Sequence, residues 1–269
     1  MIVTVVIKAL DEEKNICAAI ETSLAAVARV GGEVVLADSC SSDRTVELAS
    51  QYPVRVVQLA HANERCCGIG AQLGFQHALG DFIYLLDGDM RMEPGFLEQA
   101  LTFLAQHPEV GGVGGRLIEL NTESLEYRER GARNHGHLQP GEVDRLDGGG
   151  LYRRIAIEEA GYLSDRNLHA YEEFDLGARL RARGWKLWRL TEPCCSHFGH
   201  DIPPYSLLMR RWRSKYVCGI GELLRGAIGR KHFKLVWRDV KELKLYLAVV
   251  AWWLVLASTL VWPAAFALV

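Results

Sequence analysis

Apolar runs alternate with polar, helix-forming segments along the first hundred residues. The segment 2–7, IVTVVI, is a continuous and mostly β-branched run, which is typical of a strand buried on both faces of a parallel sheet. The strands expected after it span 33–38, 54–59 and 82–86, and apolar residues between them recur at helical spacing, as in 16–27. This alternation predicts an α/β fold, a doubly wound and mainly parallel sheet with ligand-binding groups on loops at the carboxyl ends of its strands.

The alternation weakens beyond residue 120. The segment 121–145 is polar and rich in Arg, Glu and Gly, and it predicts mixed helix and loop. In the segment 146–154, LDGGGLYRR, three glycines would let the backbone approach a ligand closely. The segment 172–184, EEFDLGARLRARG, predicts an amphipathic helix that ends at Gly184.

Charge is concentrated near the C-terminus, although the formal net charge is only -2 and gives no signal for nucleic acid. The segment 210–244 holds eleven Lys or Arg against three acidic residues, and 245–269 contains no charged residue. This pattern predicts basic amphipathic helices over 205–244, lying on membrane lipid, and a transmembrane helix over 245–269. Because basic flanks stay on the cytoplasmic side, we expect a single-pass protein of the cytoplasmic membrane with residues 1–244 in the cytoplasm.

Seven cysteines are present, without CxxC spacing and without an apolar leader at the start of the chain. This usage predicts reduced thiols. The adjacent pairs at 66–67 and 194–195 are poor candidates for zinc, because neighbouring residues on a strand point in opposite directions.

Acidic residues recur where predicted strands end. They are Asp11, Glu12 and Glu13, then Asp38, then Asp87 and Asp89. A single acidic turn is usually structural, but in a doubly wound sheet these three groups would converge on one edge. Clustered carboxylates repel one another unless a cation compensates, and Mg²⁺ or Mn²⁺ with a diphosphate would do so.

The ordered set of motifs resembles the family 2 glycosyltransferases of the GT-A fold. The segments are VTVVIKALDEEKNI, VVLADSCSSDRTVELA, LGFQHALGDFIYLLDGDM, DGGGLYRR, YEEFDLGARLRARGW and PCCSHF. The resemblance spans about residues 2–200. It implies a catalytic domain over 1–204, with a nucleotide-sugar half at about 1–115 and an acceptor half at 116–204.

The resemblance also implies roles for single residues. Asp38 would bind the nucleotide base, with Ser42 and Asp43 supporting its loop. Of the DxD pair, Asp87 would lie near the ribose and Asp89 on a Mg²⁺ or Mn²⁺ ion, which His197 would help to hold. The full set of donor-binding candidates is Ala9, Asp11, Glu12, Asp38, Ser42, Gln72, Asp87, Gly88 and Gly149.

The general base implied by the resemblance is Glu173, preceded by Glu172 at the start of a predicted helix. The alternative is that both acids only stabilise the helix N-terminus. The chain departs from the family pattern at three places: Lys8 stands where proline is usual, Glu173 where aspartate is usual, and Ala71-Gln72 where Arg-Asn is usual. Arg65 or Arg116 would then contact the diphosphate in place of the missing arginine.

The activity implied is inverting transfer of a sugar from a nucleotide-sugar to a hydroxyl of a glycan or lipid-linked acceptor. The processive synthases carry QxxRW, whereas 208–212 reads LMRRW and lacks the glutamine, which favours a single transfer. Two alternatives remain at this stage. The first is a scaffold that keeps the fold without activity. The second is a sugar nucleotidyltransferase, although KALDEE at 8–13 is not the glycine-rich loop that a triphosphate needs.

Overall fold

A computed structural model describes residues 2–121, 138–199 and 202–261. The strands of this part of the chain are β1 Val3–Ala9, β2 Gly32–Asp38, β3 Arg55–Gln58, β4 Phe82–Asp87, β5 Met90–Met92, β6 Val110–Glu119, β7 Gly141–Val143, β8 Leu151–Arg153 and β9 Lys186–His197. The helices are α1 Ile16–Val30, α2 Thr45–Ala49, α3 Cys67–His77, α4 Phe96–Gln106, α5 Arg154–Ala160, α6 Glu172–Arg181, α7 Pro204–Arg213, α8 Gly219–Ala227, α9 Phe233–Asp239 and α10 Lys241–Val261.

The described strands form one sheet in the order β3-β2-β1-β4-β8-β6-β9-β5, with β7 paired to β9. Its first half is parallel, as predicted: β1 lies between β2 and β4, and β2 pairs with β3. Lys8 on β1 is level with Asp87 on β4, and Ala9 is level with Asp38 on β2. The carboxyl ends of three strands therefore meet at one edge, where a doubly wound sheet binds its ligands.

The second half of the sheet is mixed, so the expectation of a mainly parallel sheet holds only for the first half. Strand β8 runs antiparallel to both β4 and β6, while β6 and β9 are parallel. Strands β5 and β7 run antiparallel to β9. The sequence missed these two because strands of three residues are too short to show periodicity. The α/β class is confirmed.

The sheet is covered on both faces, which explains the uninterrupted apolar runs. Val3, Val5 and Ile7 point to one face and pack in a core with α1 and α4. Val6 points to the other face, into a second core formed with α3, α5 and α6. Leu176 and Leu180 of α6 thus pack on this second face of the sheet.

The C-terminal helices form a third core against α6. Leu223 on α8 and Val236 on α9 are buried, and they pack with Phe174 and Ala178 of α6. Part of the basic segment 205–244 is therefore attached to the α/β unit by apolar packing. Its predicted contact with membrane lipid stays a prediction.

The predicted transmembrane helix over 245–269 is wrong over the described residues. None of the helices in residues 2–121, 138–199 and 202–261 combines the length and hydropathy needed to cross a bilayer. Helix α10 begins at Lys241, and its first turn is charged. The single-pass location inferred from it falls with this helix; 262–269 lie outside the described residues.

Candidate active site

A cavity of about 1090 Å³ opens at the carboxyl ends of β1 and β4. It is bounded on the opposite side by the start of α6 and by α7, which contributes Arg210 and Arg211. The cavity brings together many of the residues predicted from the sequence. These are Ala9, Glu12, Asp87, Gly88, Asp89, Glu172, Glu173 and His197.

Lys8 lies at the centre of the acidic groups. Its Nζ is 2.9 Å from Asp87 Oδ1, 3.5 Å from Glu173 Oε1 and 3.7 Å from Glu172 Oε1. Burial would lower the pKa of Lys8, but these three carboxylates raise it well above its usual value. Lys8 is therefore a permanent cation in the site.

Glu173 has the properties of a general base poised near neutral pH. Burial, followed by the charge of Glu172, raises its pKa to about 8, and Lys8 opposes this rise. Asp87 and Asp147 add to it. A carboxylate with a pKa in this range is a far better proton acceptor than an exposed glutamate.

Two local features position the start of α6, and with it the Glu173 side chain, at the cavity. Tyr171, just before α6, has a positive φ of 68°, a left-handed conformation that is uncommon for an aromatic residue. Within α6, Arg179 Nε donates to Asp175 Oδ2 at 2.7 Å, and its Nη2 donates to the Leu163 carbonyl at 3.0 Å. Both members of this pair are 4% exposed. The Asp175–Arg179 pair thus fixes α6 to the loop that follows α5.

Asp89 belongs to a hydrogen-bonded chain. His197 Nε2 lies 3.1 Å from Asp89 Oδ2, and His197 Nδ1 lies 2.6 Å from Glu119 Oε2. Burial would lower the pKa of His197, but these two hydrogen bonds raise it to about 10. At neutral pH the ring is an imidazolium that donates from both nitrogens. To bind a metal, His197 would first have to lose a proton.

The oxygen ligands of Asp89 and Glu12 suit a divalent cation. Burial and then the charge of Asp89 raise the pKa of Glu12 to about 7, so Asp89 is close enough to Glu12 to disfavour its ionised form. Within the described ranges, no three His, Cys, Asp or Glu side chains are gathered as a metal site. Mg²⁺ often binds one or two carboxylates and completes its shell with substrate phosphates and water. Asp89 and Glu12 meet that requirement.

The two glycines predicted to admit the donor face protein atoms instead. A Cβ at Gly88 would lie 2.9 Å from Glu12 Cγ, so Gly88 makes room for the Glu12 side chain. Gly149 has a φ of +87°, and its Cβ would lie 2.7 Å from Cys195 Sγ. It is absent from the cavity lining, whereas its neighbour Gly148 is part of it.

Asp38 is fully buried at the end of β2. Its Oδ2 accepts hydrogen bonds from the Ser41 backbone N–H at 3.0 Å and from Gln58 Nε2 at 3.2 Å. Its Oδ1 has no hydrogen-bond partner among the described residues. A buried carboxylate oxygen without a donor is costly, and an N–H of a nucleotide base is a suitable partner.

Besides Asp38 and Gly149, three predicted donor ligands lie outside the cavity lining. Asp11 Oδ1 accepts a hydrogen bond from the Ser42 backbone N–H at 2.7 Å, so these two residues tie neighbouring loops together. Gln72 Oε1 accepts from the backbone N–H groups of Leu163 and Ser164, both at 3.1 Å. These contacts give all three residues structural roles, and their assignment to the donor stays a prediction.

Of the two arginines considered for the diphosphate, Arg65 lies at the cavity and Arg116 does not. Arg65 lines the cavity and donates from Nε to the Ser39 carbonyl at 2.8 Å. Arg116 is exposed and does not line the cavity.

Glu119 and Asp147 were not predicted as site residues from the sequence. Their positions at or beside strand ends were the signal that could have identified them.

The family follows from a match over more than half of the chain. The description "Glycosyl transferase family 2" matches residues 4–161, which run from β1 past α5 and contain the strand ends of the cavity. The chain belongs to this family. Residues 172–197, which carry Glu173 and His197, lie beyond the matched range.

Curated relatives of this family 2 chain include two plant proteins. A probable glucomannan 4-beta-mannosyltransferase 15 of Arabidopsis thaliana is 27% identical over 154 residues, covering 54% of this chain and 28% of the relative. A probable glucomannan 4-beta-mannosyltransferase 3 of Oryza sativa subsp. japonica is 27% identical over 158 residues, covering 54% and 27%. The chain thus spans about a quarter of the length of these relatives.

Solved structures share the fold. Residues 1–349 of S. aureus TarS, crystallised in complex with UDP-GlcNAc, superpose with a TM-score of 0.62 at 18% sequence identity, covering 77% of this chain and 61% of that one. A longer S. aureus TarS structure gives a TM-score of 0.61 at 18% identity, covering 74% and 37%. This likeness confirms the curled, mixed α/β sheet of the GT-A fold.

Proposed function

We propose that this family 2 protein is an inverting glycosyltransferase that moves a sugar from a nucleotide-sugar to a hydroxyl acceptor. The observation that carries the proposal is that Glu173 and Asp87 lie on opposite sides of one cavity. Lys8 Nζ is 3.5 Å from Glu173 Oε1 and 2.9 Å from Asp87 Oδ1. A proton acceptor on α6 therefore faces the strand ends at which α/β proteins bind nucleotides. The UDP-GlcNAc complex of TarS and the mannosyltransferase names of the plant relatives support a nucleotide-sugar donor.

The donor nucleotide would lie along the ends of β1, β2 and β4. The base would donate an N–H to the unpartnered Oδ1 of Asp38, and the ribose would lie beside Asp87. Asp89 and Glu12 would hold Mg²⁺ or Mn²⁺, with the donor diphosphate completing the coordination. When bound, the ion would supply positive charge against the charge that develops on the leaving diphosphate.

Glu173 would accept the proton of the acceptor hydroxyl as the oxygen attacks the anomeric carbon. Attack from the face opposite the leaving nucleotide inverts the anomeric configuration. The C–O bond to the acceptor forms while the C–O bond to the diphosphate breaks. Because the pKa of Glu173 is about 8, the base is partly ionised at neutral pH and can hold the transferred proton.

The acceptor end of the cavity is basic. Arg210, Arg211 and Lys215 line it from α7 and the turn that follows. Guanidinium and ammonium groups suit an acceptor that carries phosphate, as a lipid-linked glycan precursor does. We therefore propose a phosphate-bearing glycan acceptor and a single transfer for each binding event.

Donor binding can be tested by thermal unfolding with UDP, UDP-GlcNAc and GDP-mannose, each with Mn²⁺ and with EDTA. A ligand at 100 times its Kd stabilises the native state by about 2.7 kcal/mol. That corresponds to a rise in Tm of roughly 5–10 °C for a chain of this size. We expect such a rise with at least one donor in Mn²⁺, and its loss in Asp89→Ala.

Glu158→Gln serves as the control, because this glutamate lies on the exposed side of α5 away from the cavity. It should keep the full shift. Equal shifts in EDTA and Mn²⁺ would contradict the metal assignment. No shift with any nucleotide, together with no transfer, would favour the alternative of a scaffold without activity.

A further inference from the structure

Lys8 is confined as well as charged. Its side chain is 15% exposed, and its backbone carbonyl accepts a hydrogen bond from the Gly88 N–H at 2.8 Å. Gly70 on α3 lies against its stem, since a Cβ at Gly70 would be 3.7 Å from Lys8 Cβ. The ammonium therefore has little freedom to leave its three carboxylate neighbours.

Those neighbours come from different parts of the fold. Asp87 ends β4, whereas Glu172 and Glu173 begin α6, more than eighty residues later in the chain. Three carboxylates around one ammonium leave net negative charge, so without the cation the two sides of the cavity would repel each other. Lys8 contacts both sides at once, and its position determines how closely they approach.

We propose that Lys8 is a positioning residue of the transfer reaction: its ammonium ties Glu173 on α6 to Asp87 on β4 and sets the separation between base and donor. This inference rests on the proposed function. Lys8 acts through the two carboxylates and is not itself a proton donor or acceptor in the reaction. Its contact with Glu173 also favours the ionised form of that carboxylate.

The ionisation of Glu173 depends on every group that faces it. Glu172 on its own helix, Asp87 on β4 and Asp147 before β8 raise its pKa, and Lys8 on β1 is the one neighbour among its main determinants that lowers it. Three further groups interact with Glu173, and each has a raised pKa of its own that keeps it neutral near pH 8. They are Cys67, Tyr152 and Tyr216.

The test is the pH profile of kcat/KM for the wild type, Lys8→Gln and the control Lys186→Gln. Lys186 pairs with Glu142 at 3.9 Å, is half exposed and does not line the cavity, so its removal should change nothing. In Lys8→Gln we expect the rising limb of the profile to move to higher pH. If the pKa rises by about one, the ionised fraction well below it falls about tenfold. The loss at pH 7 should lie mainly in kcat.

The same shift can be read without turnover, from an NMR titration of the Glu173 carboxyl carbon in both proteins. The inference would be overturned if the rising limb of the pH profile and the Glu173 titration in Lys8→Gln both matched those of the wild type. A loss confined to the donor KM would also overturn it, because Lys8 would then be a donor ligand. Should wild-type protein transfer no sugar, the proposed function fails, and the titration alone still decides whether Lys8 controls Glu173.

A rescue experiment covers the case in which Lys8→Gln does not fold. Glu173→Asp shortens the base and draws its carboxylate away from the ammonium. Arginine reaches farther than lysine, so Lys8→Arg combined with Glu173→Asp should recover part of the activity that Glu173→Asp alone loses. Activity in the double variant no higher than in Glu173→Asp would count against a positioning role.

Discussion

Removing Arg179 should destabilise the protein strongly. In Arg179→Met the stem of the side chain keeps its volume, but Asp175 loses the Nε donor at 2.7 Å and the Leu163 carbonyl loses its Nη2 donor at 3.0 Å. Both members of the pair are 4% exposed, so water cannot replace the lost partners. Breaking a buried pair by removing one member costs roughly 3–5 kcal/mol.

Urea unfolding followed by circular dichroism would measure this loss. With a slope of about 2 kcal/mol per molar urea, the midpoint should fall by roughly 1.5–2.5 M. Arg183→Met is the matched control, because Arg183 is exposed just beyond the same helix, and its effect should stay within about 0.5 kcal/mol. A loss below about 1 kcal/mol in Arg179→Met would refute the view that this pair anchors α6.

Further predictions concern the C-terminal core, the loop contacts and the base. Leu223→Ala should lower the free energy of unfolding by about 2–5 kcal/mol, while the exposed Leu247→Ala should stay near zero; equal effects would contradict the third core. Gln72→Ala should cost about 1–3 kcal/mol because two backbone N–H groups lose their acceptor, with donor affinity unchanged by calorimetry. A fall in affinity without loss of stability would restore Gln72 to the donor site. Transfer by the wild type should rise with pH through about 8, since Glu173 acts when deprotonated; a rate that falls over this range would exclude it as the base.

The parallel half of the fold could be predicted because its signals are local. A β-branched run such as that in β1 shows burial on both faces, and a parallel sheet then places the strand ends at one edge. Asp87 and Asp89 were found in this way. The amphipathic pattern of 172–184 likewise predicted α6, and the resemblance to the family 2 glycosyltransferases implied the role of Glu173.

The pairing of strands that are distant in the chain could not be predicted from the sequence. Glu119 meets His197 because β6 and β9 pair, and Asp89 lies beside His197 because β5 pairs with β9. Glu119 and His197 are 78 residues apart in the chain. Gln72 has the side chain of a donor ligand, but the structure uses it to hold backbone N–H groups. Whether a polar residue serves a ligand or the fold depends on partners that no local pattern specifies.

Lys8 illustrates the same limit at the centre of the site. In the sequence it was only a departure from the family pattern, because its carboxylate neighbours lie on β4 and α6. The apolar run after Lys244 predicted a membrane span, whereas none of the helices in the described part of the chain combines the length and hydropathy needed to cross a bilayer.

The central claim is that Glu173 is the base of a sugar transfer in this cavity. The most direct measurement compares wild type and Glu173→Gln for transfer from the donor that binds best, with donor affinity measured on the same samples by calorimetry. We predict that Glu173→Gln binds the donor within about threefold of the wild type and loses transfer by about 10²–10⁴-fold, the usual contribution of a general base. Transfer by Glu173→Gln at the wild-type rate would contradict the account.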